Sequence, residues 1–365
     1  MKTDKKKTNP RVPQRILLVR TDRLGDVILS TPVSTAFKRT FPGSFVAMLL
    51  NRYTADLVDG HSDVDLVILD DPKEQSLFSL VKTLRGHRFD TMVLLHPTGR
   101  LALAGRLAGI PLRIGTGYRA YSFLFNRRVY QHRKNSGMHE LELNLQLAEA
   151  AGARLDDVHF NFTLTAEAYQ RVSQRLHRFG LSIQSPYIVV HPGSGGSALN
   201  WPADSYHQLI TRLHRELNLP VLVTGTASER PLIDRVTAGI ESSVIRVDGK
   251  LPIKELAVLL KHARLLISNS TGPLHLAVAM GAEVIGLYCP IAACSPDRWG
   301  PYHRADSVLM PEVSYCTNCQ KEGCRYLDCM ELISVDQVFA LAQKKLAQPT
   351  FPAAAFVRKE SAGDL

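Results

Sequence analysis

The sequence predicts an α/β protein made of two doubly wound, Rossmann-like halves. Short apolar segments of strand length alternate with amphipathic segments of helix length along most of the 365 residues. Strands separated by helices of this length are typical of parallel βαβ units. The alternation occurs twice, with a break at LSIQSP (181–186), and a chain of this length can bury two separate cores.

The order of the elements follows from this pattern. The predicted strands are RILLVR (15–20), SFVAMLLN (44–51), VDLVILD (64–70), DTMVLLH (90–96) and PLRIGTG (111–117) in the first half, and YIVVHP (187–192), PVLVTG (220–225), SSVIRV (242–247), RLLISN (264–269) and EVIGLY (283–288) in the second. The predicted helices are 27–40, 53–59, 75–87, 138–151, 203–218, 228–239, 253–262, 272–280 and a final helix over 335–347. We expect a disordered basic lead-in over 1–14, domains over 15–183 and 184–347, and a disordered tail over 348–365.

The charge balance favours anionic partners. Lys and Arg number 44 against 34 Asp and Glu, which gives a net charge of +10. Nucleotide phosphates, anionic lipid surfaces and nucleic acid all fit that balance. The sequence has neither the apolar run of a spanning helix nor a signal peptide. We therefore expect a cytosolic or membrane-peripheral protein whose six cysteines are reduced unless they bind a metal.

The first segment with a chemical signature is RTDRLGDVILSTP (20–32). Gly25 is expected to permit a tight turn after the first strand, and Asp26 then opens a helix. The first-turn amides and the helix dipole stabilise a carboxylate at that place. Two interpretations stay open, an N-cap that only stabilises the helix and a general base at the strand end.

The second segment is VVHPGSGGSALNWP (189–202). A strand enters a loop rich in glycine and serine, and a helix follows the Trp-Pro pair. Glycines let backbone N–H groups approach a phosphate closely. The segment is neither a Walker A sequence nor GxGxxG, so an ordinary connection is the alternative.

The third segment is LISNSTGPLHLAVAMGAEVIGLY (266–288). Ser270 is a good N-cap, and Gly272-Pro273 starts a helix with proline in its first turn. The amides at such a helix start favour an anion. His275 lies in the same first turn, where it either faces that anion or has a structural role.

The fourth segment, YCTNCQKEGCRYLDCM, holds four cysteines, Cys316, Cys319, Cys324 and Cys329. The first pair has CxxC spacing, which suits a metal, but the second pair has CxxxxC spacing, which is not a standard zinc ribbon. We expect a structural role for the cysteines with no metal, and metal binding is the alternative.

Taken together, these segments resemble the lipopolysaccharide heptosyltransferases, glycosyltransferase family nine. The resemblance rests on LLVRTDRLGDVILSTP, HPGSGG with NWP, SNSTGPLHLAVAMG with GLYCP, and the cysteine-rich tail, and covers roughly residues 14 to 346. It implies a GT-B fold, with two Rossmann-like domains facing across a cleft. The implied activity is inverting transfer of a heptose from ADP-heptose to the phosphorylated inner core of lipopolysaccharide. It implies no required cofactor, no nucleic acid partner and a cytoplasmic place, peripheral to the inner membrane.

The resemblance also implies roles for individual residues. Asp26 falls at the family's candidate base. The implied donor-binding residues are Gly193, Ser194, Gly195, Leu251 near the adenine, Ser270, Thr271, Gly272 and His275. The arginines proposed to meet acceptor phosphates are Arg23, Arg119, Arg127 and Arg128, together with Arg133.

Two departures from the family pattern bear on the activity. Members commonly carry Lys where this chain has Leu199, and many carry Asp where it has Ser270. Without the lysine, His275, Arg23, Arg298 or a bound Mg²⁺ is expected to meet the charge of the leaving diphosphate. The alternatives to an enzyme of this family are a binding protein on the same fold that holds nucleotide sugar or lipopolysaccharide without turnover, and a doubly wound redox protein.

Overall fold

The computed structural model describes residues 12–133, 136–249, 251–316 and 328–348, and the backbone of 356–357. Most of the predicted lead-in and tail, and both Cys319 and Cys324, lie outside these residues. The strands are β1 (Arg15–Val19), β2 (Phe45–Leu50), β3 (Leu66–Leu69), β4 (Thr91–Leu94), β5 (Leu112–Thr116), β6 (Arg127–Val129), β7 (Asp157–Val158), β8 (Ile188–His191), β9 (Val221–Val223), β10 (Val244–Arg246), β11 (Leu265–Asn269), β12 (Val284–Leu287), β13 (Val308–Leu309) and β14 (Phe356–Val357).

The described helices follow the same alternation. They are α1 (Leu24–Ile28), α2 (Thr31–Thr40), α3 (Arg52–Val58), α4 (Leu77–His87), α5 (Gly99–Leu107), α6 (Glu140–Glu149), α7 (Ala166–His177), α8 (Ala203–Leu217), α9 (Arg230–Thr237), α10 (Ile253–His262), α11 (Gly272–Met280), α12 (Pro296–Trp299) and α13 (Val335–Ala347). Within the described residues, no helix has both the length and the apolar character that crossing a bilayer requires.

Two six-stranded parallel sheets form the framework. Their strand orders are β3-β2-β1-β4-β5-β6 and β10-β9-β8-β11-β12-β13, so the same order is used twice and the predicted doubly wound α/β class is confirmed. Apart from Arg15 at the start of β1, the central strands β1 and β8 are buried, as expected for parallel strands covered by helices.

The chain divides into two compact units. Unit 1 takes the residues up to Asp22, Ser30–Gln131 and Asn144–Asp156; unit 2 takes Arg23–Leu29, His132–Leu143 and the described residues from Asp157 onward. Each unit contains one sheet and its own apolar core. In unit 2, α13 packs on α8, β11 and β12. The predicted division at 183 and 184, and the predicted crossing of the hinge by the final helix, stay predictions.

The first predicted helix is wrong in one respect, because 27–40 is not continuous. It consists of α1 and α2, separated at Leu29 and Ser30. Pro32 lies in the first turn of α2, and its ring would clash with the carbonyl of Ile28 in a continuous helix. The break gives α1 a direction of its own.

Unit 2 holds α1 against the start of α11. A Cβ atom at Gly25 would lie 2.6 Å from Cδ2 of His275, and one at Gly272 would lie 2.9 Å from Cβ of Leu24. Real Cβ contacts essentially never fall below 3.0 Å, so both positions need glycine for space. The sequence suggested that Gly25 permits a tight turn, but its φ is not positive and close approach is the physical reason for it.

We predict that Gly25→Ala destabilises unit 2 by about 1–3 kcal/mol, the usual cost of overpacking a core. The free energy of unfolding in urea measures this effect. Gly86→Ala is the matched control, since Gly86 lies in α4 and no heavy atom would lie within 4 Å of its added Cβ. The control should match the wild type or exceed it by up to about 1 kcal/mol. Equal stability of Gly25→Ala and the wild type would contradict the packing argument.

Candidate active site

A cavity of about 350 Å³ lies in unit 2, at the ends of its sheet strands. Four segments form its wall: α1 and the residue before it, the glycine loop after β8, the start of α11, and the segment after β12. The described residues on the wall are Arg23, Gly25, Asp26, Gly196, Ser197, Ser270, Thr271, Gly272, His275, Ala293, Cys294 and Trp299. Five of the predicted site residues, Asp26, Ser270, Thr271, Gly272 and His275, therefore share one wall with Arg23.

Asp26 lies in the first turn of α1, half-buried on the cavity wall. The expectation that Asp26 opens the helix is wrong, because α1 begins at Leu24 and the N-cap is Arg23, whose backbone is extended at φ −80° and ψ 164°. The amide of Val27 donates to the carbonyl of Arg23 at 3.1 Å. A carboxylate in the first turn still lies where the helix dipole stabilises its charge.

The start of α11 supplies the part of the wall that suits an anion. Thr271 is the N-cap with an extended backbone, and its side chain makes no cap hydrogen bond. Ser270, expected as the cap, precedes it, and its amide donates to Leu287 at 3.1 Å. Pro273 lies in the first turn and has no N–H. The N–H groups at a helix start and the dipole of the helix both favour a bound phosphate.

His275 lines the cavity but is 5% exposed. Burial, with a smaller contribution from nearby His139, lowers its pKa to about 3. The imidazole is therefore neutral at physiological pH. His275 was one of the candidates for the positive charge that meets a leaving diphosphate, and a neutral imidazole does not supply that charge.

Buried polar side chains hold the glycine loop in place. Asn269, at the end of β11, donates to the carbonyl of Pro192 at 2.6 Å and accepts from the Trp201 amide at 2.9 Å. The Ser197 hydroxyl donates to the Ser270 carbonyl at 3.0 Å. These bonds tie both ends of the loop to the strand that leads into α11. Sequence reasoning missed Asn269, since its partners lie far away along the chain.

Glu229 fixes the middle of the same loop. The Gly195 amide donates to its carboxylate at 3.1 Å, and a Cβ atom at Gly193 would lie 1.9 Å from that carboxylate. Burial acts to raise the pKa of Glu229, but the hydrogen bonds from Thr226 and the nearby His191 hold it below its ordinary value. The ionised carboxylate thus occupies the amide of Gly195 in this structure.

The loop residues that reach the cavity are Gly196 and Ser197. Gly193, Ser194 and Gly195 lie outside the lining described above, and the Ser194 hydroxyl donates to the carbonyl of Ala198 at 2.9 Å. Leu251 precedes α10 and also lies outside this lining. Their roles in donor binding stay predictions.

The arginines near the cavity differ in whether a carboxylate already pairs with them. Leu199 packs against the apolar core of unit 2. Arg298 donates to one oxygen of Glu140 from Nε at 2.9 Å and from Nη2 at 2.8 Å. Arg133, an expected acceptor contact, also pairs with Glu140. Arg23 is exposed and lies on the wall, so it is the arginine that the lining itself contains.

Two thiols to which the sequence analysis gave no role, Cys289 and Cys294, lie beside the site. Cys294 lines the cavity and donates to the carbonyl of Ser197 at 3.6 Å. Hydrogen bonding with the Cys294 sulfur lowers the pKa of Cys289 to about 6. Of the predicted cysteine cluster, Cys316 donates to the Pro290 carbonyl at 3.3 Å and Cys329 is buried. The described residues contain no group of three metal-ligating side chains, and both alternatives for the cluster stay predictions.

Comparison with known proteins identifies the family. The family model for glycosyltransferase family 9 (heptosyltransferase) matches residues 77–330. A putative glycosyltransferase of Haemophilus influenzae is 29% identical over 337 residues, covering 90% of this chain and 95% of the relative. Lipopolysaccharide heptosyltransferase 3 of Escherichia coli is 25% identical, covering 89% and 96%.

A solved structure agrees in fold. The E. coli ADP-heptose lipopolysaccharide heptosyltransferase II superposes with a TM-score of 0.74 at 19% identity, covering 91% of this chain and 98% of that one. The two repeated sheets and this likeness confirm the GT-B class. The chain belongs to glycosyltransferase family 9, the heptosyltransferases.

Proposed function

We propose that this protein is an inverting heptosyltransferase that moves a heptose from ADP-heptose to the inner core of lipopolysaccharide. The observation that carries the proposal is that one cavity wall brings together a carboxylate, Asp26, and a helix start suited to a diphosphate, Thr271-Gly272. The names of the similar proteins support the heptose, the ADP and the lipopolysaccharide.

The chemistry needs both parts of the wall. Asp26 accepts the proton of the acceptor hydroxyl while the oxygen of that hydroxyl bonds to the anomeric carbon of the donor. The bond from that carbon to the diphosphate breaks at the same time, and the diphosphate leaves with both bonding electrons. A single displacement inverts the anomeric centre. Negative charge grows on the leaving group, where the N–H groups of α11 and the Arg23 guanidinium stabilise it.

The acceptor is proposed to meet an exposed surface of unit 1. Arg119, Arg127 and Arg128 are exposed there, around the short edge strand β6. Exposed charges on an edge strand also prevent edge-to-edge pairing. Guanidinium groups bind phosphates through paired N–H donors, which suits a phosphorylated core.

The same segment of unit 1 presents aromatic side chains. Tyr118, Phe123 and Tyr130 are 48%, 72% and 62% exposed. Aromatic and cationic side chains together suit the headgroup level of an anionic membrane. These side chains support the proposal that the protein works at the cytoplasmic face of the inner membrane, where a lipid-linked acceptor is presented.

For Asp26→Asn we predict a loss of turnover of about 100-fold or more, the usual scale for loss of a general base. Asparagine keeps the shape of the side chain but accepts no proton, so the affinity for ADP and the thermal unfolding midpoint should stay near wild type. Turnover with ADP-heptose and a truncated core acceptor, followed by mass spectrometry, measures the effect. Wild-type turnover in this variant would assign the base elsewhere.

Arg23→Met tests the source of positive charge. We predict that the variant weakens ADP binding by about tenfold or more, since hydrogen bonds to charged groups contribute about 1.5–3 kcal/mol. Arg178→Met, at an exposed arginine of unit 2 outside the cavity lining, should bind ADP as the wild type does.

Two further measurements test whether a protein cation or a bound metal supplies the positive charge at the leaving diphosphate. Turnover should survive EDTA, and Leu199→Lys should raise it, most clearly in the Arg23→Met background. Loss of turnover in EDTA that magnesium restores would favour a bound metal. If no donor turns over in the wild type or in Leu199→Lys although ADP binds, the binding-protein alternative replaces the enzyme.

Replacing Arg119, Arg127 and Arg128 together by Gln should raise the KM for a phosphorylated acceptor about tenfold or more while leaving ADP affinity unchanged. The effect should shrink in high salt and with a dephosphorylated acceptor, because it depends on exposed charges. Arg39, Arg106 and Arg154 are exposed arginines elsewhere in unit 1, and their triple Gln variant is the control for net charge. Equal effects of the two triple variants would mean that only the net charge of the protein matters, and would contradict a specific contact between these three arginines and the acceptor.

A further inference from the structure

Trp299 is a half-buried indole on the cavity wall, in a segment that the sequence motifs left aside. Its role differs from that of the other tryptophan, Trp201, which is fully buried in the core of unit 2. An aromatic ring that lines a polar cavity without filling the core offers an apolar face to a ligand.

Contacts within unit 2 fix the plane of this ring. The indole Nε1 donates to the Ala293 carbonyl at 3.0 Å. The Arg298 guanidinium carbon lies 4.6 Å from the ring centroid, which is a cation–π distance. Glu140, whose side chain is 0% exposed, holds that guanidinium. The orientation of the ring is therefore set before any ligand binds.

The backbone at the same place is also fixed. The Tyr288 hydroxyl donates to the Trp299 carbonyl at 2.7 Å, and the His139 ring donates to the Gly300 carbonyl at 2.9 Å. Both Tyr288 and His139 are held inside unit 2. A segment anchored in this way presents its side chain with little loss of conformational entropy on binding.

The residues that share the wall with Trp299 indicate which part of the donor lies on its ring. The bond that breaks joins the sugar to the diphosphate, so the sugar must lie between the base and the helix start that holds the phosphates. Asp26, Thr271 and Gly272 share the wall with Trp299. The C–H face of a sugar ring is apolar and packs on an aromatic ring, while its hydroxyls stay at the edge for polar partners.

We propose that the indole of Trp299 is the platform on which the transferred sugar of the donor lies. Arg298 and Glu140 are positioning residues that hold the ring. This inference rests on the proposed function, since it assigns a subsite of the same cavity. It implies that Trp299 contributes to the affinity for the nucleotide sugar but not to the affinity for the free nucleotide.

The test compares ADP-heptose with ADP by calorimetry. Trp299→Leu should weaken ADP-heptose binding about tenfold and leave ADP binding within about twofold, while Trp299→Phe should keep most of the difference. Equal losses for both ligands would place the adenine on the ring. Wild-type affinity of Trp299→Leu for both would also overturn the proposal.

Fluorescence of the wild type gives a readout that needs no variant. The chain has two tryptophans, and burial shields Trp201 from acrylamide, so the quenchable emission reports Trp299. ADP-heptose should protect it and ADP should not. Arg298→Gln should increase quenching in the free protein and weaken ADP-heptose more than ADP. Equal protection by both ligands would contradict the role of Trp299 as the sugar platform. Unchanged quenching in Arg298→Gln would contradict the positioning role of Arg298.

A wild-type protein that binds neither ligand would contradict the proposed function. A wild type that binds both and turns over, with Trp299→Leu unchanged, would contradict the sugar platform alone.

Discussion

The contact between α1 and the start of α11 is the constraint on which the site depends. Two glycines make it possible, because Gly25 lies against the ring of His275 and Gly272 lies against Leu24. The residue after Gly25 is Asp26, and the amides before and at Gly272 form the helix start. A side chain at either glycine would separate the helices. The same close contact therefore places the carboxylate and the phosphate-type helix start on one wall.

The charge distribution around this wall follows from burial. His275 is neutral because its imidazole is buried, and the Arg298 guanidinium is paired with Glu140. Leu199 packs against the core. In the proposed function, fixed backbone dipoles and Arg23 then carry most of the electrostatic attraction for a diphosphate. Oriented dipoles need no reorganisation when charge develops, which is why they stabilise a leaving group efficiently.

The sequence predicted those parts of the fold that depend on local pattern. The bounds of α10, α11 and α13 agree with the periodicity. The helix α5 was missed because its small residues reflect tertiary packing: a Cβ atom at Gly105 would lie 2.2 Å from Sδ of Met92. The strand β6 was missed because three residues with two arginines show no alternation.

Within the site, the sequence identified the segments but not the interactions between them. The strand ends and helix starts that carry Asp26, Thr271 and Gly272 were recognisable from local composition. The partners of Asn269 and Glu229 lie many residues away, so no local signal marks either residue. Gly25 shows the same limit, because the sequence cannot distinguish a glycine needed for its φ from one needed for space.

The residues that hold the wall are distinct from those that line it. Asn269, Glu229 and Glu140 are polar groups whose partners come from remote segments. A buried carboxylate is tolerated only when its charge is paired and hydrogen-bonded, and Glu140 meets both conditions through Arg133 and Arg298. Such bonds hold the loops of the wall in place. A change at one position beside the glycine loop, such as Leu199 at the place of the lysine in the family pattern, is then expected to alter how a diphosphate binds while the framework of the cavity stays the same.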